Sequence, residues 1–359
     1  MFKQIFKSIK GRGFRSILII LAVLLIIVPA TVEATGDAAA DIIQTEILEP
    51  VNPNAINESF SRNVQTKIQI TNDSSKISKN IKIQVPLISV DSDYQETVNT
   101  TYSIKPTKVS NEGFNTSNGT FLIDSIAPGS TETVLIDYEI IINPAYTLSA
   151  PEVLSDETTH YSNKNNNKAS NLKEYLKPSQ KIQSDNSKIK SKALQITQDS
   201  DDDLEKARKI FTFVKEHMQY NSQSPHRNKD ALSALTTGEG VCEDYAVLFV
   251  ALSRAAGIPA RQVNGYAGFK VPSKALNTNL GKAVSLWNYR HSWVEFYIED
   301  MGWLPADPTF SSKNDEFKYF GYLPFDSRIA QNYLDQSLKV NYQGSSNGLK
   351  VEWEEALIN

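Results

Sequence analysis

Cysteine is nearly missing from this chain: Cys242 is the only one in 359 residues. One cysteine makes no internal disulfide and no cysteine-pair metal site. Histidine is scarce as well, with only His160, His217, His226 and His291. No Cys or His pair stands at metal-ligand spacing, so a metal is not expected. An excess of positive charge is also lacking. The formal net charge is −4, and without the first 34 residues it falls to −8, with 32 basic residues against 40 acidic. Phosphate binding needs a basic footprint, so nucleic acid is excluded as a main partner. A long unbroken apolar run stands only at the start, twelve residues from Ile17 to Val28.

That run follows Lys3, Lys7, Lys10, Arg12 and Arg15 and ends at Pro29 and small residues. Residues 1–34 read as a secretory signal peptide. The run is short of the roughly 20 apolar residues a membrane span needs, but extended to Val32 it allows an uncleaved anchor. Both readings place residues 35–359 outside the cell, secreted or membrane-anchored, because the basic flank stays in the cytoplasm. The membrane is then a partner only through this segment.

The rest can build a real core, being 40% hydrophobic and 22% charged overall. Residues 35–147 alternate apolar and polar in short runs. "KNIKIQVPL" puts Ile81, Ile83 and Val85 on one side, and "TETVLIDYEIII" does so with Val134, Ile136, Tyr138 and Ile140. This is the pattern of half-buried antiparallel strands, and a β-sandwich of roughly 100 residues fits it. The polar tract "SDETTHYSNKNNNKASN" makes residues 148–184 a linker or exposed loop. Residues 185–359 form the second domain. A short helix "NSKIKSKALQIT" comes first. A longer one carries Leu204, Ala207, Phe211, Val214 and Met218 on one face, with Ser200 and Asp203 as its capping pattern. The tail, "SLKVNYQGSSNGLKVEWEEA", reads as a β-hairpin extending this domain's sheet.

Cys242 stands at the mouth of a third helix, after Gly238 and Gly240 and before the stop at Gly257 and Pro259. Free N–H groups and the helix dipole favour an anion there, which enriches thiolate. A small buried hydrophobe is the competing reading of a lone cysteine, and the local stretch leaves the two even. A nucleophilic thiol wants a base and a group to orient that base. His160 and His226 lie in polar loops, and His217 ends a helix, where a cation is welcome. His291 opens the strand "HSWVEFYI", and "GWLPADPTF" follows after a short turn with Asp307. A hairpin across that turn brings Asp307 beside His291, where an acid fixes the ring tautomer.

The blocks "GVCEDYAVLFVALSRAAGIPARQVNGY", "RHSWVEFYI" and "GWLPADPTF" together resemble the transglutaminase-like domain, a relative of the papain-like cysteine proteases. The resemblance spans roughly residues 184–312. It implies an α+β fold, helices packed on an antiparallel sheet, preceded here by the β-sandwich. It implies Cys242, His291 and Asp307 as the catalytic triad of an acyl-transfer enzyme, without a cofactor. The substrate class is a protein or cell-wall peptide, with hydrolysis expected over amine cross-linking. The backbone N–H of Cys242 supplies one oxyanion donor. Animal members use an upstream tryptophan as the second. All four tryptophans here follow Cys242, so Tyr220 is the candidate. Trp287 and Tyr289, just before the base, are candidates for the substrate groove. The alternative is a non-catalytic surface module that binds peptide in the same groove. Oligomeric state is not legible.

Overall fold

A computed structural model describes residues 59–143, 169–269, 283–310, 319–333 and 341–358, apart from positions 93, 112, 113, 115, 300, 346 and 347. The expected signal or anchor, 1–34, lies outside the described residues, and no described helix is long and apolar enough to cross a membrane.

Six strands come first: β1 (Phe60–Asn72), β2 (Ser78–Pro86), β3 (Gln95–Tyr102), β4 (Lys108–Asn111), β5 (Ser117–Ile126) and β6 (Thr131–Ile142). Their alternation is the expected one. On β6, Val134, Ile136, Tyr138 and Ile140 are buried, and the residues between them are half-buried or exposed. Strands β1, β6 and β3 lie in one antiparallel sheet and β2, β5 and β4 in another. Ile68 and Ile136 from the first share one core with Ile81, Ile83 and Phe121 from the second, all fully buried. Sheet-on-sheet packing of this kind is a β-sandwich.

Next come α1 (Ser187–Thr197), α2 (Asp203–His217), β7 (Gln219–Tyr220), α3 (Ala231–Thr237), β8 (Glu239–Gly240) and α4 (Cys242–Ala255). They are followed by β9 (Ala260–Ala267), β10 (Val284–Ser285), β11 (Arg290–Ile298), β12 (Gly302–Ala306), β13 (Arg328–Asn332), β14 (Asn341–Gln343) and β15 (Leu349–Ile358). A second antiparallel sheet system has the order β12-β11-β9-β13. It is covered on both faces. Val294, Phe296 and Ile298 pack with the helices, while Val263, Trp293 and Ile329 pack with the sandwich. The central helix α4 is buried from Glu243 to Arg254, because it sits between the other three helices and strands β9 and β11. The chain is therefore α+β, with strand order and burial that put the start of α4 against the start of β11.

Three local expectations need correction. The tail is not a hairpin on the second domain's sheet. β14 pairs with β2 and β15 pairs with β1, so the two strands enter opposite sheets of the sandwich. β10 adds itself beyond β15. Alternation shows that a segment is a strand but not which edge it joins, and the sandwich offered two open edges. The polar tract also does not run to 184: residues 169–176 form a 3₁₀ helix, Tyr175 packs edge-on against Trp303 at 4.8 Å, and Ile182 is fully buried. Composition averaged over the tract hid these anchors. Finally, Asp202 rather than Ser200 caps α2, accepting from Glu205 N–H at 2.7 Å.

β15 lies along β1 over ten residue pairs, from Asn63–Ile358 to Asn72–Leu349. Deleting residues 341–359 strips that edge and uncovers a long row of unpaired backbone groups, a template for association. The truncated chain is expected to aggregate where the full chain stays discrete, as size-exclusion chromatography would show. A monodisperse truncation product would contradict the pairing.

Candidate active site

Val241, the N-cap of α4, is extended and has no side chain able to cap the helix. Asp244 takes over. Its Oδ2 accepts the Val241 N–H at 2.9 Å and the Asn228 N–H at 2.9 Å, and its Oδ1 accepts the Lys229 N–H at 3.3 Å. One carboxylate thus ties the preceding loop to the helix start and fixes where Cys242 stands. A Cβ on Gly240 would come within 2.4 Å of Asp244 Oδ2, which is why the residue before Val241 has none. Glu243 is paired with Lys181. The acidic first turn is therefore committed to structure. β7 lies beside β8 in parallel register, with Tyr220 opposite Gly240, two residues from Cys242.

β11 and β12 form the expected hairpin, Ile298 opposite Gly302 and Val294 opposite Ala306. That register carries Asp307 back to the strand start, where its Oδ2 accepts the His291 Nε2–H at 2.7 Å. The carboxylate Oδ1 accepts the N–H groups of Thr309 at 3.1 Å and Phe310 at 3.3 Å. With Nε2 committed as donor, Nδ1 is the ring nitrogen left to accept a proton. The backbone N–H of Ser292, next to His291, donates to the Cys242 thiol. The structure thus assembles thiol, imidazole and carboxylate from α4, β11 and the end of β12.

The electrostatics depart from the expected thiolate. Cys242 stays partly exposed, but its crowded protein surroundings push the thiol up to about 12. Burial is the first cause, and the charges of Glu243 and Asp307 add to it. The N–H groups of Ser292 and Glu243 oppose the rise without cancelling it. Desolvation, with the two nearby carboxylates adding to it, outweighs the N–H groups that favour the thiolate. His291 is held below the usual histidine range, first by burial, against the pull of Asp307 and with the Arg328 charge adding to the depression. Asp307 stays ionised: burial works against the charge, but His291 and Arg328 hold its carboxyl low. The resting pair is a neutral thiol beside a neutral imidazole.

Trp287 and Tyr289 lie on the 3₁₀ turn that leads into His291. Trp287 is exposed, with the Arg290 guanidinium over its ring at 4.1 Å, and Tyr289 packs edge-on near Phe269. Two features escaped the sequence. Arg328 Nη2 donates to Asp307 Oδ2 at 2.8 Å. Beside the site, Gln262, Asn264, Ser292 and Asn332 form a buried amide and hydroxyl network, with Ser292 Oγ donating to Asn264 Oδ1 at 3.0 Å. No local signal marks these residues. Among the described residues no cluster of His, Cys, Asp and Glu could hold a metal.

Residues 190–308 match the family model described as the transglutaminase-like superfamily. An uncharacterised protein, YebA, of Bacillus subtilis strain 168 is 30% identical over 128 residues, which is 34% of this chain and 17% of that protein. An uncharacterised Haemophilus influenzae protein is 30% identical over 183 residues, 48% of this chain and 49% of its own. A protein-glutamine gamma-glutamyltransferase of Pseudomonas aeruginosa is 33% identical over 101 residues, 27% of this chain and 14% of that enzyme. The chain spans half or less of the length of these curated relatives. A solved structure from Cytophaga hutchinsonii, described as a candidate cysteine protease, is 17% identical, with a TM-score of 0.49, covering 84% of this chain and all of that one.

Proposed function

Proceeding from a transglutaminase-like domain at residues 190–308, we propose that this chain is a cysteine-dependent acyl-transfer enzyme acting outside the cell. The reaction begins at a peptide or carboxamide carbonyl. Cys242 Sγ bonds to the carbonyl carbon as its proton passes to His291 Nδ1. The tetrahedral oxyanion is met by the backbone N–H of Cys242, with Tyr220 as the second donor. When the C–N bond breaks, His291 returns the proton to the departing amine, leaving a thioester on Cys242. Water then bonds to the acyl carbon, its proton going through His291 to sulfur as the C–S bond breaks. An amine in place of water gives cross-linking by the same steps. Hydrolysis is the lead outcome. The observation that carries this reading is the 2.7 Å His291–Asp307 bond beside a thiol at a helix start.

The export-like segment 1–34 motivates the extracellular location, and with it a protein or cell-wall peptide substrate. The test is a thioester trap. The full chain is incubated with glutamine-containing and wall-derived peptides plus hydroxylamine, and hydroxamate and released amine are followed, with Cys242→Ala as the blank. Hydroxamate formation in the wild type alone supports the proposal. No adduct on any peptide, from a thiol that alkylates no faster than a free cysteine, would return the chain to the surface-binding alternative.

A further inference from the structure

Arg328 lies on β13, the edge of the sheet farthest from β12, yet it reaches the carboxylate that follows β12. Its route depends on a close strand contact. Gly265 sits directly across β9 from both His291 and Ala330. A Cβ there would stand 2.0 Å from the Ile329 carbonyl oxygen and 3.0 Å from Trp293 Cη2. The bare glycine lets β13 close on β9, and Arg328 comes with it. The guanidinium is 3% exposed and lies 5.2 Å from the ring centres of both Trp293 and Phe310. The same two rings flank His291, Phe310 edge-on at 4.6 Å and Trp293 at 6.3 Å.

The hydrogen-bond pattern is unusual for a structural arginine. A guanidinium has five N–H donors. Here Nε and Nη1 are buried without a hydrogen-bond partner among the described residues, and the charge is matched by a single acceptor, Asp307 Oδ2. A buried cation so poorly satisfied costs stability rather than adding it. Its local consequence is on one atom, the oxygen that also receives the His291 ring.

We propose that Arg328 is a positioning residue of the acyl-transfer site: it shares Asp307 Oδ2 with His291 and so sets both the placement of the carboxylate and the basicity of the imidazole. Without Arg328 the carboxylate would be freer to rotate on its remaining donors. Its cation also opposes a second positive charge on the ring. Among the described residues, the charged and titratable groups facing His291 are Asp307 from the end of β12, Arg328 from β13 and Cys242 from α4; Glu243, beside the thiol, is engaged with Lys181. Asp307 is the one group favouring imidazolium, and Arg328 is the one cation set against it. The inference rests on the acyl-transfer reading of the site.

The test uses the full chain and iodoacetamide, with Cys242 modification followed by mass spectrometry from pH 4 to 9. Wild type, Arg328→Gln, Arg328→Lys and His291→Ala are compared, each checked by its thermal melt. Arg328→Gln is expected to move the acid limb of the His291-dependent rate upward by about one pH unit or more and to lower the neutral plateau. Arg328→Lys, which keeps the charge but not the planar guanidinium that places Nη2 on Asp307 Oδ2, should restore the limb and not the full plateau. A Gln profile that overlays the wild type, with His291 dependence intact, overturns the inference and leaves the triad standing. If Arg328→Gln loses its native melt, the Lys variant decides alone, and a wild-type plateau from it overturns the proposal. A wild-type thiol indifferent to His291 overturns the acyl-transfer reading itself, and the role of Arg328 with it.

Discussion

His291→Ala should abolish the neutral-pH reactivity of Cys242. In the wild type, the thiol proton has a destination 49 residues further along the chain but adjacent in space, and the pair keeps the same total protonation across neutral pH. The alkylation rate is then flat above the titration of His291. That acid limb falls below the ordinary histidine value of about 6.5, because burial holds the ring low. Remove the imidazole and the thiol must ionise by itself. Its surroundings push it up to about 12, and each pH unit below that costs tenfold in thiolate, so at pH 7 the fraction is on the order of 10⁻⁵. A loss of at least about 100-fold at pH 7 is expected, with a rate that climbs tenfold per pH unit and no plateau. The measurement is iodoacetamide alkylation read by mass spectrometry, which is unambiguous with one cysteine. A variant that keeps the plateau would mean that the thiol is ionised without help, contrary to the desolvation described above.

The placement of Cys242, His291 and Asp307 was legible in sequence because each sits in a local pattern: a helix start after two glycines, a strand start, and the far arm of a short hairpin. Hairpin register is set locally, so placing Asp307 by His291 needed only the turn between them. The sandwich strands were legible for the same reason, since period-2 alternation is a property of each strand alone. What was not legible is what depends on distant pairing. Arg328 follows Asp307 by 21 residues and meets it only because β13 crosses to the far edge of the sheet. The destination of the tail is equally nonlocal. The strands of "SLKVNYQGSSNGLKVEWEEA" alternate correctly, yet nothing in them names β1 and β2 as partners. The thiol environment was misjudged for a third reason: helix position is visible in sequence, but the packing density around sulfur and the nearness of Asp307 are not. Asn72, which with Asp73 and Ser74 spells the Asn-x-Ser pattern of a glycosylation acceptor, shows the same limit. Its side chain is fully buried and donates to the Lys76 and Ile126 carbonyls, so glycosylation there would break a turn.

Glu295→Ala should cost about 3–5 kcal/mol, the range for breaking a buried ion pair from one side. Against a typical total stability of about 5–15 kcal/mol, that is enough to unfold a marginal chain. Glu295 is 1% exposed on β11. Its Oε2 accepts the Arg261 Nε–H at 2.7 Å from the neighbouring strand β9, and its Oε1 accepts the hydroxyl of Tyr94, which leads into β3 of the sandwich. The Arg261 guanidinium is enclosed by rings, Tyr333 at 3.7 Å and Trp303 at 4.1 Å, so it has no route to solvent once its carboxylate is gone. Tyr94→Phe removes one hydrogen bond and leaves the ion pair, so its cost should be nearer about 1–3 kcal/mol. Denaturant unfolding of both variants gives the comparison. The larger loss at Glu295 would show that the ion pair inside the β9–β11 sheet carries most of the stability at this junction and that the Tyr94 hydroxyl from the sandwich adds the smaller share. Deleting the sandwich would in either case uncover Val263, Trp293 and Ile329, which pack with it, so point substitutions are needed to separate its role from that of Cys242, His291 and Asp307. Equal, small losses from both variants would instead mean that the Arg261 cation finds other acceptors once its carboxylate is gone, contrary to its enclosure by Tyr333 and Trp303.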